Sequence, residues 1–433
     1  MAADVAHATQ GRLVGQNAHL SGVSFDSRTL RPGQLFVPVV AGRDGHEFIS
    51  AARTGGAGAY LTAHEPEGGT AIVVDDTVAA LGRLARWARH RLSTHVAGRV
   101  VGITGSVGKT STKDLVATAL GASMSTAASE RSLNNDLGVP VTILNAPDSV
   151  AALVLEMGMR GEGEIDRLCR IAEPSVGVVT AVAAAHTSRV GGIDGVARAK
   201  SELVRALPDD GVAVLNADDR RVAAMRDLTR ARVVTYGRSV DADIRIVEVT
   251  LDDRAHPTAR YVGVWGERVV TLPVPGAHMA HNAAAALAVC IACGADTARA
   301  ADAMSRVVMS GMRMQERRTR AGAVLIDDSY NANPASVAAA LHALAAVRAK
   351  RRVAILGVMA ELADSAAEHR AIAELADSLG IEMCVVDAPD YGCRVVSIGD
   401  AEEVVAQLTS DDAVLVKGSR VAGLDQLVRR CCD

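Results

Sequence analysis

The chain has 433 residues, of which 49% are hydrophobic and only 2% aromatic, and its formal net charge is −4. At about 100 to 200 residues per domain, this length predicts about three domains. A chain rich in Ala, Val and Leu is typical of helices packed on parallel strands, and a negative chain without runs of Lys or Arg offers no surface for nucleic acid. We therefore predict an α/β protein that binds no nucleic acid.

The chain shows no sign of membrane insertion. Its first residues, MAADVAHATQGRL, lack a basic flank followed by an apolar core. No stretch reaches the roughly 18 uninterrupted apolar residues that are needed to span a bilayer. We expect a cytoplasmic monomer without an integral membrane segment.

The cysteines are odd in number and scattered along the chain, which predicts reduced thiols. They are Cys169, Cys290, Cys293, Cys384, Cys393, Cys431 and Cys432. Cys290 and Cys293 have the C-x-x-C spacing of a zinc or redox site, but they lie in an Ala-rich helical pattern without a second ligand pair. We expect both to be core residues.

Residues 1–97 are predicted to form a small α/β domain. Two β-like runs in VSFDSRTLRPGQLFVPVVAGRDGHEF are interrupted by the turn signals RPG and GRDG. From Thr77 to Ser93, apolar residues recur at helical spacing with arginines between them, which predicts an amphipathic helix. A domain boundary is expected near residues 95 to 98.

Residues 98–307 are predicted to form a central domain with a parallel sheet. The runs VVGITG, ALVLEMG, SVGVVTAVAA and GVAVLNADD have the length and hydrophobicity of buried parallel strands, and a helix is expected from Ser111. Residues 240 to 275 are predicted to be more antiparallel, and Ala280 to Cys293 helical. Ligands bind at the carboxyl ends of the strands in such sheets.

Residues 308–433 are predicted to form a third, Rossmann-like α/β domain. Helical patterns separate five strand candidates, namely AVLIDDSYNANP, RVAILGVM, EMCVVDA, RVVSIG and AVLVKGS. The chain has no internal repeat.

The segment VGITGSVGKTST, Val101 to Thr112, has the composition of a phosphate-binding loop. Glycines let backbone N–H groups approach phosphate oxygens, the helix N-terminus adds partial positive charge, and a lysine and hydroxyls suit phosphates and Mg²⁺. The general pattern G-x-x-x-x-G-K-[ST] requires glycine where this chain has Ile103. The alternative is a plain strand-turn-helix with a capping threonine, but the coincidence of strand, glycines, lysine and hydroxyls favours a nucleotide site. The predicted nucleotide-binding residues are Thr104, Gly105, Ser106, Val107, Gly108, Lys109, Thr110 and Ser111.

The form T-G-x-x-G-K-T resembles the loop of the Mur ligase superfamily, the ATP-dependent amino-acid and peptide ligases of peptidoglycan and folate metabolism. Glu156, at the end of ALVLE, resembles the family's magnesium-binding glutamate. His186 in TAVAAAH resembles a histidine that ligates a second magnesium, although Ala181 stands where the family commonly has Asn. Lys200 in AKSE resembles a lysine that is carbamylated in many members. A strand-end Glu, a buried His or a helical Lys is unremarkable alone, but their order behind Lys109 favours the resemblance.

Further segments are similar to one branch of the family, the ligases that add D-alanyl-D-alanine to a UDP-N-acetylmuramoyl-tripeptide. Leu133 to Pro140 resembles N-N-x-x-G-x-P, and Asp328 to Pro334 matches Y-N-A-N-P, where third-residue ligases have Y-A-H-T-P. Gly357 to Leu362 and Lys417 to Arg420 resemble two C-terminal segments. In the G-x-H-N-x-x-N segment, Met279 replaces the middle Asn. The resemblance assigns UDP-substrate binding to Asp26, Ser27, Arg28, Asp44 and His46.

The resemblance implies an amide ligase that uses ATP and Mg²⁺ and works through an acyl phosphate. Glu156 with Thr110 or Ser111 would hold one Mg²⁺, and His186 with the carbamate on Lys200 would hold a second. Further ATP contacts would come from Asn282, Arg313 and Asp328. The dipeptide and nucleotide region would comprise Asn134, Asn135, Tyr330, Asn331 and Asn333. The alternative for the tyrosine and asparagines before Pro334 is that they only shape a turn.

Three other functions are open on the sequence. A paralogue with another acceptor would keep the same motifs. A catalytically silent nucleotide-binding partner would not be expected to retain Lys109, Glu156, His186 and Lys200 together. A simple phosphate-loop ATPase would leave the UDP-type N-terminal domain without a purpose.

Overall fold

The computed structural model describes residues 1–130, 132–184 and 190–432. In these ranges the strands form three sheets of five, nine and six strands. The sheets lie within residues 12–73, 100–271 and 315–417. The α/β class is confirmed, and the domain boundaries at 97/98 and 307/308 stay a prediction.

The first sheet has the order β1-β5-β4-β3-β2 and is parallel except for the β1/β5 pair. Its strands are β1 (Arg12–Val14), β2 (Val23–Ser24), β3 (Leu35–Phe36), β4 (Ala59–Thr62) and β5 (Ala71–Val73). The helices of this part are α1 (Ala2–Thr9), α2 (Ile49–Thr54), α3 (Thr77–Arg91) and α4 (Ser93–Val96), with a 3₁₀ turn at Gly45–Phe48. The predicted amphipathic helix is α3, and Asp76 caps it by accepting the N–H groups of Val78 and Ala79.

The second sheet has the order β14-β13-β12-β11-β10-β9-β6-β8-β7. Its strands are β6 (Val100–Thr104), β7 (Thr126–Ala128), β8 (Ala152–Glu156), β9 (Val176–Val179), β10 (Val212–Asn216), β11 (Arg232–Gly237), β12 (Ile244–Leu251), β13 (Pro257–Gly263) and β14 (Gly266–Thr271). The pairs from β7 to β12 are parallel, and β12, β13 and β14 pair antiparallel. The antiparallel character predicted for residues 240 to 275 is therefore confirmed.

Helices cover both faces of this second sheet. They are α5 (Lys109–Gly121), α6 (Gly138–Leu144), α7 (Glu164–Ala172), α8 (Ile193–Arg205), α9 (Arg220–Ala223), α10 (Met279–Ala292) and α11 (Thr297–Met304), with a 3₁₀ turn at Ala224–Leu228. Alternate residues of β6 enter two different cores, with Val101 and Ile103 on one side and Val100 on the other. Because both faces are buried, the strands are continuously apolar, which is why their sequences were recognisable as parallel strands.

The third sheet has the order β15-β16-β20-β17-β18-β19 and is parallel except for the β15/β16 pair. Its strands are β15 (Gln315–Arg318), β16 (Val324–Asp328), β17 (Arg352–Leu356), β18 (Glu382–Val386), β19 (Val395–Val396) and β20 (Ala413–Lys417). Its helices are α12 (Pro334–Ala346), α13 (Ser365–Ser378), α14 (Ile398–Ala406) and α15 (Asp425–Cys431), with 3₁₀ turns at Pro389–Tyr391 and Arg420–Ala422. All five strands predicted here are present.

The sheets bring chemically active residues to shared edges. In the second sheet Ile103 is the register partner of Glu156, and Thr104 is the partner of Val179, so the ends of β6, β8 and β9 meet. In the third sheet Asp328 is the partner of Lys417 at the ends of β16 and β20. No helix in the described ranges is both long and apolar enough to cross a membrane.

Candidate active site

The phosphate-loop segment is a tight turn between β6 and α5. Gly105 and Gly108 have φ of +152° and +79°, which side-chain-bearing residues rarely adopt. A Cβ on Gly105 would lie 1.8 Å from Thr180 Oγ1, so there is also no space for a side chain. The Thr180 hydroxyl donates to the Val107 carbonyl at 2.6 Å. The end of β9 therefore supports the loop from behind.

Ser106 ties the loop to the segment that follows β9. Its N–H donates to the carbonyl of Ala181 at 2.8 Å, and its hydroxyl donates to the carbonyl of Ala183 at 3.0 Å. Ala181 uses its backbone for this contact, so the residue that departs from the family pattern still supports the loop. His186, predicted from the same segment, lies outside the described residues.

An oxygen cluster lies at the start of α5. Glu156 is 1% exposed, and its two carboxylate oxygens accept hydrogen bonds from the Thr110 hydroxyl and from the Asn134 side-chain amide, both at 2.8 Å. The Ser129 hydroxyl accepts the backbone N–H of Glu156 at 3.2 Å. Carboxylate and hydroxyl oxygens are the hard ligands that Mg²⁺ prefers, so the donor set fits this ion.

Two lysines lie close enough to influence each other. Lys109 donates to the Gly105 carbonyl at 2.7 Å; burial lowers its pKa, and the nearby Glu156 carboxylate opposes that shift. Lys200, on α8, is 3% exposed. Burial lowers the pKa of Lys200 well below its ordinary value, and the charge of Lys109 lowers it further. Both effects favour the neutral amine of Lys200 more than in a lysine that is exposed to water.

A cavity of about 400 Å³ opens on the phosphate loop. It brings together most of the predicted site residues of the central and C-terminal ranges. They are Ser106, Val107, Gly108, Lys109, Thr110, Ser111, Asn134, Asn135, Glu156, Arg313, Tyr330, Asn331 and Asn333. Thr104, Gly105 and Lys200 are not among its lining residues, and the side chains of Thr104 and Lys200 are buried.

A second cavity, of about 230 Å³, borders the same loop. Asn282 and Asp328 line it, and Val107, Gly108 and Arg313 line both cavities. His278 is another wall residue; burial lowers its pKa to about 4, so its ring is neutral at pH 7. The two cavities thus meet at the phosphate loop.

The C-terminal range contributes a fixed arginine to both cavities. The Arg313 guanidinium lies 4.2 Å from the centre of the Tyr330 ring, a cation–π contact. The flanking residues Met312 and Met314 have φ of +60° and +50°, a strained left-handed conformation for side-chain-bearing residues. Asp328 Oδ1 accepts the Met314 N–H at 3.2 Å, which stabilises that conformation.

Asp328 also forms a buried ion pair with Lys417, and Lys417 donates to the Asn331 carbonyl at 3.0 Å. Asn333 caps α12 by accepting the Ser336 N–H, and its side-chain amide donates to the Ser106 carbonyl at 3.4 Å. The Y-N-A-N-P segment therefore does shape a turn, and it also contacts the phosphate loop.

The predicted UDP-substrate residues lie apart from both cavities. Arg28 pairs with Asp26 at 2.7 Å, and Ser27 lies between them after β2. His46 Nδ1 lies 2.6 Å from the Asp44 carboxylate, and its Nε2 accepts the Ala63 N–H at 3.1 Å. His64 stacks on the His46 ring and completes a group with metal-ligand spacing, but both nitrogens of His46 already have partners.

Sequence reasoning missed several residues that shape the site. Thr180 supports the loop, and its place at the start of the TAVAAAH segment was the available signal. Ser129 supports Glu156 and has no sequence signal that separates it from an ordinary strand-end residue. Arg160 lines the 400 Å³ cavity. The available sequence signal was its position four residues after Glu156, the predicted magnesium-binding glutamate.

The fold and the site define an enzyme class: a phosphate-loop nucleotide-dependent enzyme whose site is completed by a second α/β unit. Residues 103–290 match the Mur ligase middle domain, and residues 312–420 match the Mur ligase glutamate ligase domain. The chain belongs to the Mur ligase family.

Several relatives carry the same name, UDP-N-acetylmuramoyl-tripeptide--D-alanyl-D-alanine ligase. The Mycobacterium tuberculosis protein is 38% identical, with 93% of this chain and 90% of that protein covered. The Escherichia coli protein is 34% identical, with 97% and 95% covered. Among solved structures, MurF from Acinetobacter baumannii has a TM-score of 0.88 at 27% identity and covers 99% of this chain and 98% of its own. MurF ligase from Thermotoga maritima in complex with ADP has a TM-score of 0.81 at 25% identity, with 96% and 97% covered.

Proposed function

We propose that this chain joins D-alanyl-D-alanine to UDP-N-acetylmuramoyl-tripeptide at the expense of ATP, a step of peptidoglycan synthesis in the cytoplasm. The observation that carries the proposal is the meeting of two cavities at one phosphate loop. The smaller cavity, lined by Asn282 and Asp328, suits the nucleoside. The larger cavity suits the carboxylate to be activated and the amine that attacks it. The named relatives support the same substrates for this chain.

An amide forms from a carboxylate only after one carboxylate oxygen has become a leaving group. Phosphoryl transfer from ATP achieves this by forming an acyl phosphate, and the dipeptide amine then displaces phosphate. Such transfer depends on alignment and charge neutralisation more than on covalent help from the protein. Lys109 and the N–H groups of Gly108 and its neighbours would bind the terminal phosphates. Arg313 would bind the nucleotide from the C-terminal range.

Thr110 and Glu156 would hold Mg²⁺, since their oxygens lie together beside Lys109. A bound Mg²⁺ supplies charge neutralisation of the transferring phosphoryl group. Asn134 would keep the Glu156 carboxylate in position through its 2.8 Å hydrogen bond.

Lys200 would carry a carbamate and, with His186, ligate a second Mg²⁺. Its amine is buried and has a strongly lowered pKa, so the nucleophilic neutral form is available. That amine adds to the carbon of CO₂ and loses a proton, which makes the side chain an anionic oxygen ligand. The negative charge of the carbamate would be attracted to Lys109.

The remaining predicted residues would bind the ends of the substrates. Asp328, Asn282 and Tyr330 would complete the nucleotide site, and Asn135, Asn331 and Asn333 the dipeptide region. Asp26, Ser27, Arg28, Asp44 and His46 would bind the uridine diphosphate, on the N-terminal unit. Because the site joins separate units, closure of the C-terminal unit would exclude water from the acyl phosphate.

Phosphate release from ATP tests the proposal directly. We expect release that requires both UDP-N-acetylmuramoyl-tripeptide and D-alanyl-D-alanine, with the pentapeptide product identified by mass spectrometry. Substrate pairs with lysine or diaminopimelate as third residue, and D-alanyl-D-lactate as acceptor, would define specificity. Rapid ATP turnover without either substrate would contradict the ligase, and turnover only with another acceptor would indicate a paralogue. Size-exclusion chromatography tests the proposed monomer.

A further inference from the structure

The loop between β8 and α7 presents an arginine to the larger cavity from a fixed backbone. Arg160 lines that cavity, and its backbone N–H donates to Glu164 Oε2 at 2.8 Å. At the other end of the loop, the N–H groups of Gly163 and Asp166 donate to the two oxygens of Glu202, at 2.6 and 3.0 Å. Glu202 lies on α8, so the loop is anchored to a neighbouring helix.

Most of the arginines around this loop are paired with carboxylates, whereas the nearby Glu164 and Glu202 accept backbone N–H groups. Arg167 pairs with Asp136 at 2.7 Å, and Arg198 pairs with Glu162 at 3.0 Å. Arg170 pairs with Asp166 one turn further along α7. Within residues 1–130, 132–184 and 190–432, the structure gives the Arg160 guanidinium no ion pair.

The three cations of the larger cavity therefore have different surroundings. Lys109 belongs to the phosphate loop and bonds to Gly105, and Arg313 lies over the Tyr330 ring. Arg160 lines the larger cavity but not the smaller one, so it faces the acyl side and not the nucleoside side. A planar, always charged guanidinium is suited to bidentate binding of a carboxylate.

We propose that Arg160 is a specificity residue that binds a substrate carboxylate other than the one being activated. This inference rests on the proposed function, since both substrates carry such groups. D-Alanyl-D-alanine has one terminal carboxylate, and the muramoyl-tripeptide has at least one further carboxylate besides the reacting one. In either substrate, the group that Arg160 would bind is a carboxylate that lies beside the loop after β8.

Kinetics of Arg160→Gln test this role, with Arg170→Gln as the matched control. Arg170 carries the same charge, is exposed, and is not among the residues lining either cavity. We expect Arg160→Gln to raise the KM of one carboxylate substrate about tenfold or more, because a charge-assisted hydrogen bond is lost. The KM for ATP and the kcat should stay within about twofold, and Arg160→Lys should recover part of the loss.

The arms of the experiment distinguish the two carboxylates. If the dipeptide is bound, the unsubstituted protein should prefer D-alanyl-D-alanine over D-alanyl-D-alaninamide, and Arg160→Gln should lose that preference. If the tripeptide is bound, its KM should rise and the dipeptide preference should be unchanged. The inference is overturned if the KM values of Arg160→Gln for both carboxylate substrates lie within twofold of those of Arg170→Gln. It is also overturned if only the KM for ATP rises. Absence of product with the unsubstituted protein would instead contradict the proposed function.

Discussion

The buried ion pair between Asp328 and Lys417 offers a quantitative test of how the third sheet supports the nucleotide site. Lys417 is 1% exposed, and Asp328 is its register partner across two parallel strands. In Asp328→Asn, the amide oxygen can still accept the Met314 N–H, but the ammonium loses its counter-ion in a site shielded from water. Breaking a buried pair in this way costs about 3–5 kcal/mol. Burial already lowers the pKa of Lys417. The unpaired lysine can also lose its proton, which at pH 7 costs about 5 kcal/mol for an ordinary lysine, so the loss of stability does not exceed that value.

Native-state hydrogen exchange read by mass spectrometry measures this cost locally, since the free energy of opening can be followed for β16 and β20. The matched control is Glu382→Gln, which breaks the Arg351–Glu382 pair in the same sheet. Those side chains are 43% and 56% exposed, so the loss should stay below about 1 kcal/mol. In the double variant Asp328→Asn with Lys417→Met, much of the loss should be recovered. A loss below 1 kcal/mol for Asp328→Asn, or strict additivity in the double variant, would refute the reasoning.

Three further predictions concern the loop, the modified lysine and the thiols. Gly105→Ala should abolish nucleotide binding by calorimetry, because the new Cβ would lie 1.8 Å from a threonine hydroxyl oxygen, whereas Gly121→Ala has nothing within 4 Å and should bind normally. Lys200→Ala should lose ligase activity and regain part of it with bicarbonate or formate, which supply an anion; no recovery at any concentration would count against the carbamate. Cys393 is exposed and should react rapidly with a thiol reagent at pH 8, whereas burial raises the pKa of Cys169 to about 12 and leaves it almost wholly protonated and unreactive until unfolding. Rapid labelling of Cys169 in the folded protein would contradict its burial.

The four parallel strands that sequence patterns predicted in the central range share one physical property, burial on both faces. β6, β8, β9 and β10 are continuously apolar because helices cover the sheet on each side. Three strands that were missed in the central and C-terminal ranges lack this signal. β7 has three partly buried residues at the sheet edge, and β15 is the polar sequence QERR. β11 mixes buried and exposed positions, so its pattern does not separate it from a loop.

The site was predictable where chemistry follows a strand end, and not where it depends on contacts between distant residues. Glu156 ends an apolar run, so its place at the sheet edge followed from the sequence. Its partner Asn134 lies in an irregular segment, and only the fold brings the two within 2.8 Å. The burial of Lys200 was likewise beyond the pattern, since an α-helical lysine is exposed as a rule and this one is 3% exposed.

The residue that departs from the general phosphate-loop pattern explains the shape of this loop. Ile103 is still within β6; it is fully buried and is the register partner of Glu156. A glycine at that position would remove a core side chain from the strand that aligns the loop with the carboxylate. The turn begins two residues later, at Gly105, where the backbone conformation and the Thr180 hydroxyl leave room for nothing larger. The strand therefore extends almost to the phosphate site, and its register with β8 places Glu156 beside the loop that carries Lys109.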